Sequence, residues 1–285
     1  MKATDPISDT HGVRQNELLS VLLAGTGDRV AGHVTRVDLP AGAVLHQGQH
    51  ADAHTYFPND TLISRLSVIE DGKSAEIGIV GSEGMVGIEG LVGWENPYLH
   101  ARVQCAGTAF RVPTRLLRDV FNCQGEVRWL IFRYMQSMIA QVGQAVICNR
   151  HHSIEQQLCR KLLLSSDRLH RNNLALTQST IAELLGVRRE SVTAAAKVLR
   201  KLGAIEYRRG HIMILDRAQL EARSCECYAI IKTQCDCLWP TGSALAGSAM
   251  KPSGRVPARQ AKAPSVTAMG SVAQHQDSTG LDSAW

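Results

Sequence analysis

The sequence predicts an α+β fold in which an antiparallel roll of short strands is followed by a long helix and then by a helix-turn-helix with a small hairpin. Three observations predict it. Short β-like runs separated by turn residues occupy Val34 to Val112, helical apolar spacing begins at Leu116, and a helix-turn-helix pattern with a hairpin runs from Thr177 to Leu215. The 285 residues are enough for two domains of ordinary size.

The composition is that of a globular, soluble chain, with 44% hydrophobic, 20% charged and 5% aromatic residues. The early apolar run from Leu18 to Ala24 is too short to span a bilayer, and it lacks the basic flank and small-residue cleavage site of a signal peptide. We therefore expect a cytoplasmic protein whose eight cysteines are thiols.

The excess of positive charge is concentrated in one segment. Between Arg188 and His211 there are seven basic and two acidic residues, a local excess as large as the formal +5 of the whole chain. The basic residues are Arg188, Arg189, Lys197, Arg200, Lys201, Arg208 and Arg209, and the acidic ones are Glu190 and Glu206. Such a stripe indicates a binding site for a polyanion.

The first part of the chain predicts the roll. Residues 1–16 are polar and unpatterned, so we expect them to be disordered, and Glu17 to Leu23 predicts a short helix. Asp71-Gly72 lies between two β-like runs, Leu62 to Glu70 and Ser74 to Val80. Since this dipeptide between such runs is a strong hairpin signal, we expect antiparallel strands that close into a small roll or barrel.

Glycine recurs at every third position in one stretch, at Gly78, Gly81, Gly84, Gly87, Gly90 and Gly93. A collagen helix is excluded because no proline is interleaved and the triplets are few. The stretch instead indicates a backbone that turns tightly and that another group approaches closely. A loop that faces a ligand and ordinary turn glycines are both open interpretations.

A long helix is predicted over residues 116–152. Its apolar residues fall on a heptad seam that only Gln141 interrupts: Val127, Ile131, Tyr134, Met138, Ala145 and Cys148. We expect this seam to pair with a second copy of the chain, which would make the protein a homodimer. The alternative is a helix whose apolar stripe lies on the core of its own domain.

The segment from Thr177 to Leu202 predicts two helices joined by a turn. Thr177 can cap a first helix that buries Ile181, Leu184 and Leu185, and Gly186 supplies the turn. The second helix is expected to bury Val192, Ala195, Val198 or Leu199, and Leu202, and to expose Arg189, Glu190, Ala194 and Lys197 on one face. After it, Arg208-Arg209-Gly210 predicts a hairpin with a cationic tip.

In these residues, from about Val34 to Gln219, the chain resembles the Crp/Fnr family of bacterial transcription regulators. The most specific part is Thr177 to Leu199, where Arg189-Glu190-Ser191 heads the second helix as in members that contact bases there, while Ala194 replaces a third base-reading arginine of some members. The resemblance implies a cyclic-nucleotide-binding-like, jelly-roll-like β-roll sensor domain (17–115), a dimerisation helix (116–152), a winged helix-turn-helix DNA-binding domain (153–220), and a Cys-containing segment with a disordered tail (221–285).

The resemblance also implies a function. We expect a dimeric transcriptional regulator that reads the DNA major groove with the helix 189–202 and works with RNA polymerase, and not an enzyme, because no local catalytic signature occurs. Arg189 would donate to guanine and Glu190 would accept from cytosine. The expected DNA contacts are Thr177, Gln178, Arg188, Arg189, Glu190, Ser191, Ala194, Lys197, Arg208 and Arg209.

The sensor half departs from the members that bind cyclic AMP. Those members have Gly-Glu-Leu followed by an Arg-Ser pair, whereas this chain has Gly81 to Gly87 and then Pro97-Tyr98. A cyclic phosphate would lack its cation there, so we expect no cyclic AMP, no cofactor and an effector of unknown identity. Residues expected to face any effector are Gly81, Glu83, Gly84, Met85, Gly87 and Arg102.

Two pairs of cysteines follow the helix-turn-helix, Cys225 with Cys227 and Cys235 with Cys237. Structural zinc sites usually place two or more residues within each pair, so we expect no metal site in this segment. The alternative is a thiol- or metal-responsive sensor that uses these pairs and for which DNA binding is secondary. A salt-dependent gel shift on the protein's own upstream DNA discriminates the two interpretations.

Overall fold

The computed structural model describes residues 3–6, 16–46, 53–93 and 96–238. The first part is a roll of two four-stranded antiparallel sheets, with strand orders β1-β2-β8-β4 and β3-β7-β5-β6. The strands are β1 (Ala3–Pro6), β2 (Thr35–Leu39), β3 (Val44–His46), β4 (His54–Pro58), β5 (Leu62–Val68), β6 (Ser74–Val80), β7 (Leu99–Cys105) and β8 (Gly107–Pro113). The α+β fold with an antiparallel roll is therefore confirmed.

The predicted hairpin joins β5 and β6 around Asp71-Gly72. The two strands pair in antiparallel register, and Gly72 has a φ of 82°, a conformation that glycine adopts without strain. Alternate residues of the strands fill the space between the two sheets. This interior includes Val37, Leu39, Ile63, Val80, Val103 and Ala109.

Near the N-terminus the structure corrects the expectation that residues 1–16 are disordered. Ala3–Pro6 pairs with β2, and buried Asn16 caps α1 (Glu17–Thr26) by accepting a hydrogen bond from the Leu19 amide at 2.8 Å. Leu18 and Leu19 on α1 are fully buried, and a short α2 (Asp28–Ala31) follows. The rest of this segment lies outside the described residues.

The helix predicted over 116–152 is two helices. After α3 (Ile88–Val92), the chain forms α4 (Thr114–Cys123) and α5 (Gly125–His151), with Gln124 between them in an extended conformation. Apolar spacing alone predicts one continuous helix here. The break falls before Gly125, a residue with low helix propensity, and it lets α4 and α5 both pack on the roll.

The apolar seam of α5 lies on the chain's own core, and this corrects the predicted dimerisation residues. Val127, Ile131, Tyr134, Met138, Ala145 and Cys148 are all buried within the single chain. Most of them join α1 and the roll in one hydrophobic cluster. The opposite face of α5 is the one that leaves large apolar side chains exposed: Trp129, Phe132, Ile139, Val146 and Ile147.

The second half of the chain begins with α6, which a capping box starts at Ser153. The Ser153 hydroxyl accepts from the Gln156 amide, and the Gln156 side chain accepts from the Ser153 amide at 3.0 Å. The further elements are α6 (Ile154–Leu169), β9 (Asn173–Leu174), α7 (Gln178–Leu185), α8 (Arg189–Lys201), β10 (Ile205–Arg208), β11 (His211–Ile214), α9 (Arg217–Arg223) and α10 (Glu226–Asp236).

The segment 221–285 was expected to be a Cys-containing segment followed by a disordered tail, and the structure adds a helix in the Cys-containing part that the sequence did not predict. There α10 packs on α5 and α6, with Cys227, Tyr228 and Ile231 buried. The sequence also missed β9, which pairs with β11 and widens the hairpin to three strands. Residues 239–285 lie outside the described residues. Within the described part of the chain, no helix is long and apolar enough to cross a membrane.

Candidate nucleic-acid interface

The turn between α7 and α8 has the geometry that the sequence predicts. Thr177 begins α7, its hydroxyl accepting from the Thr180 amide at 3.0 Å. Gly186 ends α7 in the left-handed conformation, with a φ of 66°, and its amide donates to two carbonyls of the last turn. Ile181 and Leu184 are buried beneath the turn, so the angle between the two helices is fixed by packing.

One face of α8 is exposed along its length. Arg189, Glu190, Ala194 and Lys197 are exposed, as predicted, and Val192, Ala195 and Leu199 are buried against the domain core. Val198 is exposed, so Leu199 is the core residue at this point. Leu202 is also exposed, so its predicted burial is wrong, and the buried Ala196 adds a position that the sequence did not predict. The exposed face combines a guanidinium, a carboxylate and an ammonium group.

Thr193 is a residue of this face that the sequence analysis missed. Its hydroxyl lies 2.7 Å from Oε1 of Gln178 and 3.0 Å from the Arg189 carbonyl. The contact joins the start of α7 to the exposed face of α8. It therefore orients the Gln178 side chain, whose amide N–H groups make no hydrogen bond within the described part of the chain.

A two-residue turn joins β10 to β11 in the hairpin. Arg208 pairs with His211 across the strands, and the turn residues Arg209 and Gly210 have φ values of 46° and 86°. Two successive positive φ angles are typical of the tight turns that suit twisted hairpins. Arg209 is thereby exposed at the tip, while Arg208 forms an ion pair of 2.8 Å with Glu206.

Helix α6 attaches this unit to the roll through buried charges. Arg168 donates from Nε to Glu83 at 2.6 Å, and Lys161 donates to Glu76 at 2.6 Å. A more exposed pair joins α7 to β7, where Arg102 contacts Glu183 at 2.7 Å. Among the described residues, three ion pairs therefore connect the roll to the helix-turn-helix half.

The glycine-rich loop is approached by the chain's own side chains. The Tyr134 hydroxyl accepts from the Met85 amide at 3.0 Å and donates to the Met85 carbonyl at 2.9 Å. Burial raises the pKa of Tyr134, so the phenol keeps the proton that it donates. A side chain at Gly84 would collide with Tyr134, and one at Gly81 would collide with Arg168. Close approach explains these two glycines, and here the approaching groups belong to α5 and α6.

The residues expected to face an effector do not share one cavity. Met85 is fully buried, Glu83 is held by Arg168, and Arg102 reaches α7 instead of the loop. The pocket beside Met85 and Gly87 has a volume of about 10 Å³. A larger cleft of about 900 Å³ lies beside Glu83, and its lining does not include Arg102. The predicted effector site is therefore corrected: its six residues are not one binding surface.

Comparison with known proteins identifies the type of domain in the second half of the chain. Residues 156–223 match the sequence model of the Crp-like helix-turn-helix domain. None of the curated protein sequences matches the chain. Among solved structures, FixK2 from Bradyrhizobium japonicum is 14% identical, with a TM-score of 0.56 over 67% of this chain and 98% of that one.

Two further structures give the same fold. The c-di-GMP responsive global regulator CLP from Xanthomonas campestris is 17% identical, with a TM-score of 0.54 over 67% of this chain and 98% of that one. A CRP-family transcriptional regulator from Thermus thermophilus is also 17% identical, with a TM-score of 0.54 over 66% of this chain and 96% of that one.

The exposed basic helix, the capped helix-turn-helix and the hairpin define a DNA-binding protein of the winged helix-turn-helix class. Residues 156–223 match a Crp-like helix-turn-helix domain, and the fold of the chain is similar to that of solved regulators of the Crp/Fnr type. The domain match supports a DNA-binding transcriptional regulator.

Proposed function

We propose that this regulator binds DNA as a homodimer and reads the major groove with α8. The observation that carries the proposal is the single exposed face of α8, on which Arg189, Glu190 and Lys197 stand together. A helix of this kind fits the major groove with its N-terminal residues against base edges. Arg189 and Glu190 occupy the first turn of α8, which is the end that enters deepest.

Base recognition is assigned to the first turn of α8. Arg189 donates two hydrogen bonds to O6 and N7 of guanine, and Glu190 accepts from N4 of cytosine. Ser191, Ala194 and Lys197 continue the same surface, Ala194 offering a methyl group instead of a hydrogen bond. Operators are inverted repeats with half-sites about one helical turn apart, since the symmetry of the site follows that of a dimer.

Phosphate contacts surround the reading helix. The Thr177 hydroxyl caps α7 by accepting a hydrogen bond from the Thr180 amide. The other backbone amides of this first turn can donate to a phosphate. Gln178, oriented by Thr193, supports the same contact, and Arg188 stands at the N-cap of α8. On the other side, Arg208 and Arg209 bring the hairpin tip to the backbone.

The dimer contact is assigned to the exposed face of α5. Trp129, Phe132, Ile139 and Val146 are three or seven residues apart and all exposed in the single chain. This spacing is that of a coiled-coil seam, and an exposed apolar stripe of this kind is unfavourable in water. When α5 of a second copy pairs with this helix, the apolar stripe is buried, and no other helix or strand has to contact the partner.

The partners, cellular location and effector are proposed from what a regulator of this kind requires. Its partners are double-stranded DNA and RNA polymerase, and it acts in the cytoplasm. Cyclic AMP is not assigned as its effector, because Arg102 is paired with Glu183 and the pocket beside Met85 and Gly87 is too small for a nucleotide. No cofactor is assigned, and the effector is a different molecule or none.

Selection of binding sites from random DNA tests the function. We expect an enriched inverted repeat, bound with an affinity that falls steeply with salt. Arg189→Ala should weaken the selected site by about 1 to 3 kcal/mol while leaving binding to random DNA nearly unchanged. Equal losses on both kinds of DNA would contradict base reading by Arg189, and no enrichment would contradict sequence-specific binding.

A further inference from the structure

Three cysteines and a histidine from distant parts of the chain meet at the end of α5. Cys148 lies in the last turn of α5 and His152 directly follows it, while Cys225 and Cys227 begin α10. The Sγ atoms of the three cysteines and a ring nitrogen of His152 all lie within 4.8 Å of one another. The cysteines are buried and form a separate cluster of their own.

Two of the distances fit the edges of a tetrahedron around one metal ion, and the other pairs of ligand atoms lie within 4.8 Å. Cys148 Sγ lies 3.6 Å from Cys225 Sγ, and Cys227 Sγ lies 3.5 Å from His152 Nδ1. With bonds of about 2.3 Å to sulfur and about 2.0 Å to nitrogen, a tetrahedral zinc ion has edges of about 3.8 Å between sulfurs and about 3.5 Å between sulfur and nitrogen. Three thiolates and one imidazole are a common donor set of structural zinc sites.

The groups around the four donors also suit a bound cation. His152 turns Nδ1 towards the cysteines, and its Nε2 lies 3.3 Å from Oε1 of Glu226. A carboxylate on the second ring nitrogen fixes the tautomer that leaves the first nitrogen free to bind metal. Gln157 donates to the carbonyls of Cys148 and His152, which holds the end of α5 in place.

The charge of the site is balanced by a buried arginine. One zinc ion with three thiolates carries a net charge of −1, which is unfavourable in a buried place without a cation nearby. Arg160 on α6 is buried and close enough to Cys148 and Cys227 for its positive charge to act on both. Its Nε has no hydrogen-bond partner among the described residues.

We propose that Cys148, His152, Cys225 and Cys227 bind one zinc ion, which joins the end of α5 to the start of α10. The site stands where α5 ends and α6 begins at Ser153, the junction between the roll and the DNA-binding half. A metal bond across this junction fixes α10 against both halves. The site does not depend on the DNA contacts assigned above.

Metal content of the full-length chain, purified with a reductant, tests the proposal directly. We expect native mass spectrometry and elemental analysis to find one zinc ion per chain. After the zinc is removed, one equivalent of Co²⁺ should give the intense visible bands of tetrahedral cobalt with thiolate ligands. A reduced, folded chain that takes up neither ion overturns the proposal, as does a cobalt spectrum without thiolate bands.

Variants identify the ligands. Cys225→Ser and Cys227→Ser should lose the bound zinc, and Glu226→Gln should weaken binding about tenfold as a partner of the histidine. The exposed Cys237→Ser, at the other end of α10, is the matched control and should keep one zinc. If the buried cysteine variants do not fold, His152→Gln replaces them, since His152 lies at the edge of the cluster.

A disulfide is the competing use of the same atoms. The sulfurs of Cys148 and Cys225 are close enough for a bond to form once both protons and two electrons are removed by an oxidant. Peptide mapping of the protein isolated under reductant should find both cysteines as thiols. A Cys148 to Cys225 disulfide in that protein, together with no bound metal, would overturn the zinc assignment.

Discussion

Arg168 on α6 donates to the Glu83 carboxylate of the glycine-rich loop at 2.6 Å, and both side chains are almost completely buried. The Arg168 Nη2 group also donates to Gln141 on α5, so one guanidinium connects the loop, the long helix and the DNA-binding half. A buried pair of this kind gives little net stability, but removing one partner leaves an uncompensated charge. The pair therefore couples the roll to α6.

The first prediction concerns this ion pair. Glu83→Gln keeps the size of the side chain and removes its charge, so the guanidinium of Arg168 stays buried without a counter-ion. We expect a loss of about 3 to 5 kcal/mol in the free energy of unfolding. Thermal denaturation followed by circular dichroism measures it as a clear fall in Tm.

The control for this pair is Glu70→Gln, which removes an exposed carboxylate of the same roll and should leave Tm nearly unchanged. The double variant Glu83→Gln with Arg168→Met should regain part of the loss, because the unpaired charge is gone. An unchanged Tm in Glu83→Gln alone would show that the guanidinium is solvated and that the coupling is absent.

The second prediction concerns cyclic AMP. Its phosphate needs a buried cation or several donors, and Arg102 is already paired with Glu183 on α7 at 2.7 Å. We expect isothermal titration calorimetry to detect no binding at micromolar concentrations, and the ligand to leave Tm unchanged. A rise in Tm with cyclic AMP that disappears in Arg102→Ala would show instead that Arg102 leaves Glu183 to bind the phosphate.

The sequence predicts the helix-turn-helix well because its signals are local. The cap at Thr177, the turn at Gly186 and the exposed face of α8 all depend on residues within a few positions of one another. The buried Lys161 and Arg168 could not be predicted, since each is paired with a carboxylate 85 residues earlier.

Two other features could not be predicted from the sequence, because they too depend on how distant parts of the chain pack together. Cys148 and Cys225 are separated by 77 positions, so the cluster exists only after α10 packs on α5. The long helix carries apolar residues on two faces, and heptad spacing describes both. Periodicity alone does not determine which face meets the roll.

The third prediction separates the two arginines of the hairpin. Arg209 is exposed at the tip, whereas Arg208 is paired with Glu206, so part of its charge is already neutralised. Arg209→Ala should weaken binding to all DNA sequences alike and reduce the salt slope by about 1. Arg208→Ala should have a smaller effect of the same kind.

Fluorescence anisotropy with labelled DNA at several salt concentrations measures both slopes. Arg29→Ala, which removes an exposed arginine from α2 in the roll, is the matched control and should change neither slope. If Arg208→Ala costs as much as Arg209→Ala, the pair with Glu206 opens on DNA. If neither variant changes binding, the hairpin does not contact phosphate.

The last prediction uses two neighbouring residues of α5 that face opposite ways. Ile139 is 62% exposed and belongs to the outer apolar stripe, whereas Met138 is 7% exposed and packs on the roll. The wild-type chain should sediment at twice its mass of 31.0 kDa. Ile139→Glu places a charge from each copy in the shared seam, so we expect monomers that remain folded. Met138→Glu places the charge in the chain's own core, so we expect a large fall in Tm.

Analytical ultracentrifugation and thermal denaturation of both variants separate the two effects. Dimers that persist in Ile139→Glu would exclude this face as the contact, because two buried glutamates opposite one another are too unfavourable to be accommodated in an apolar seam.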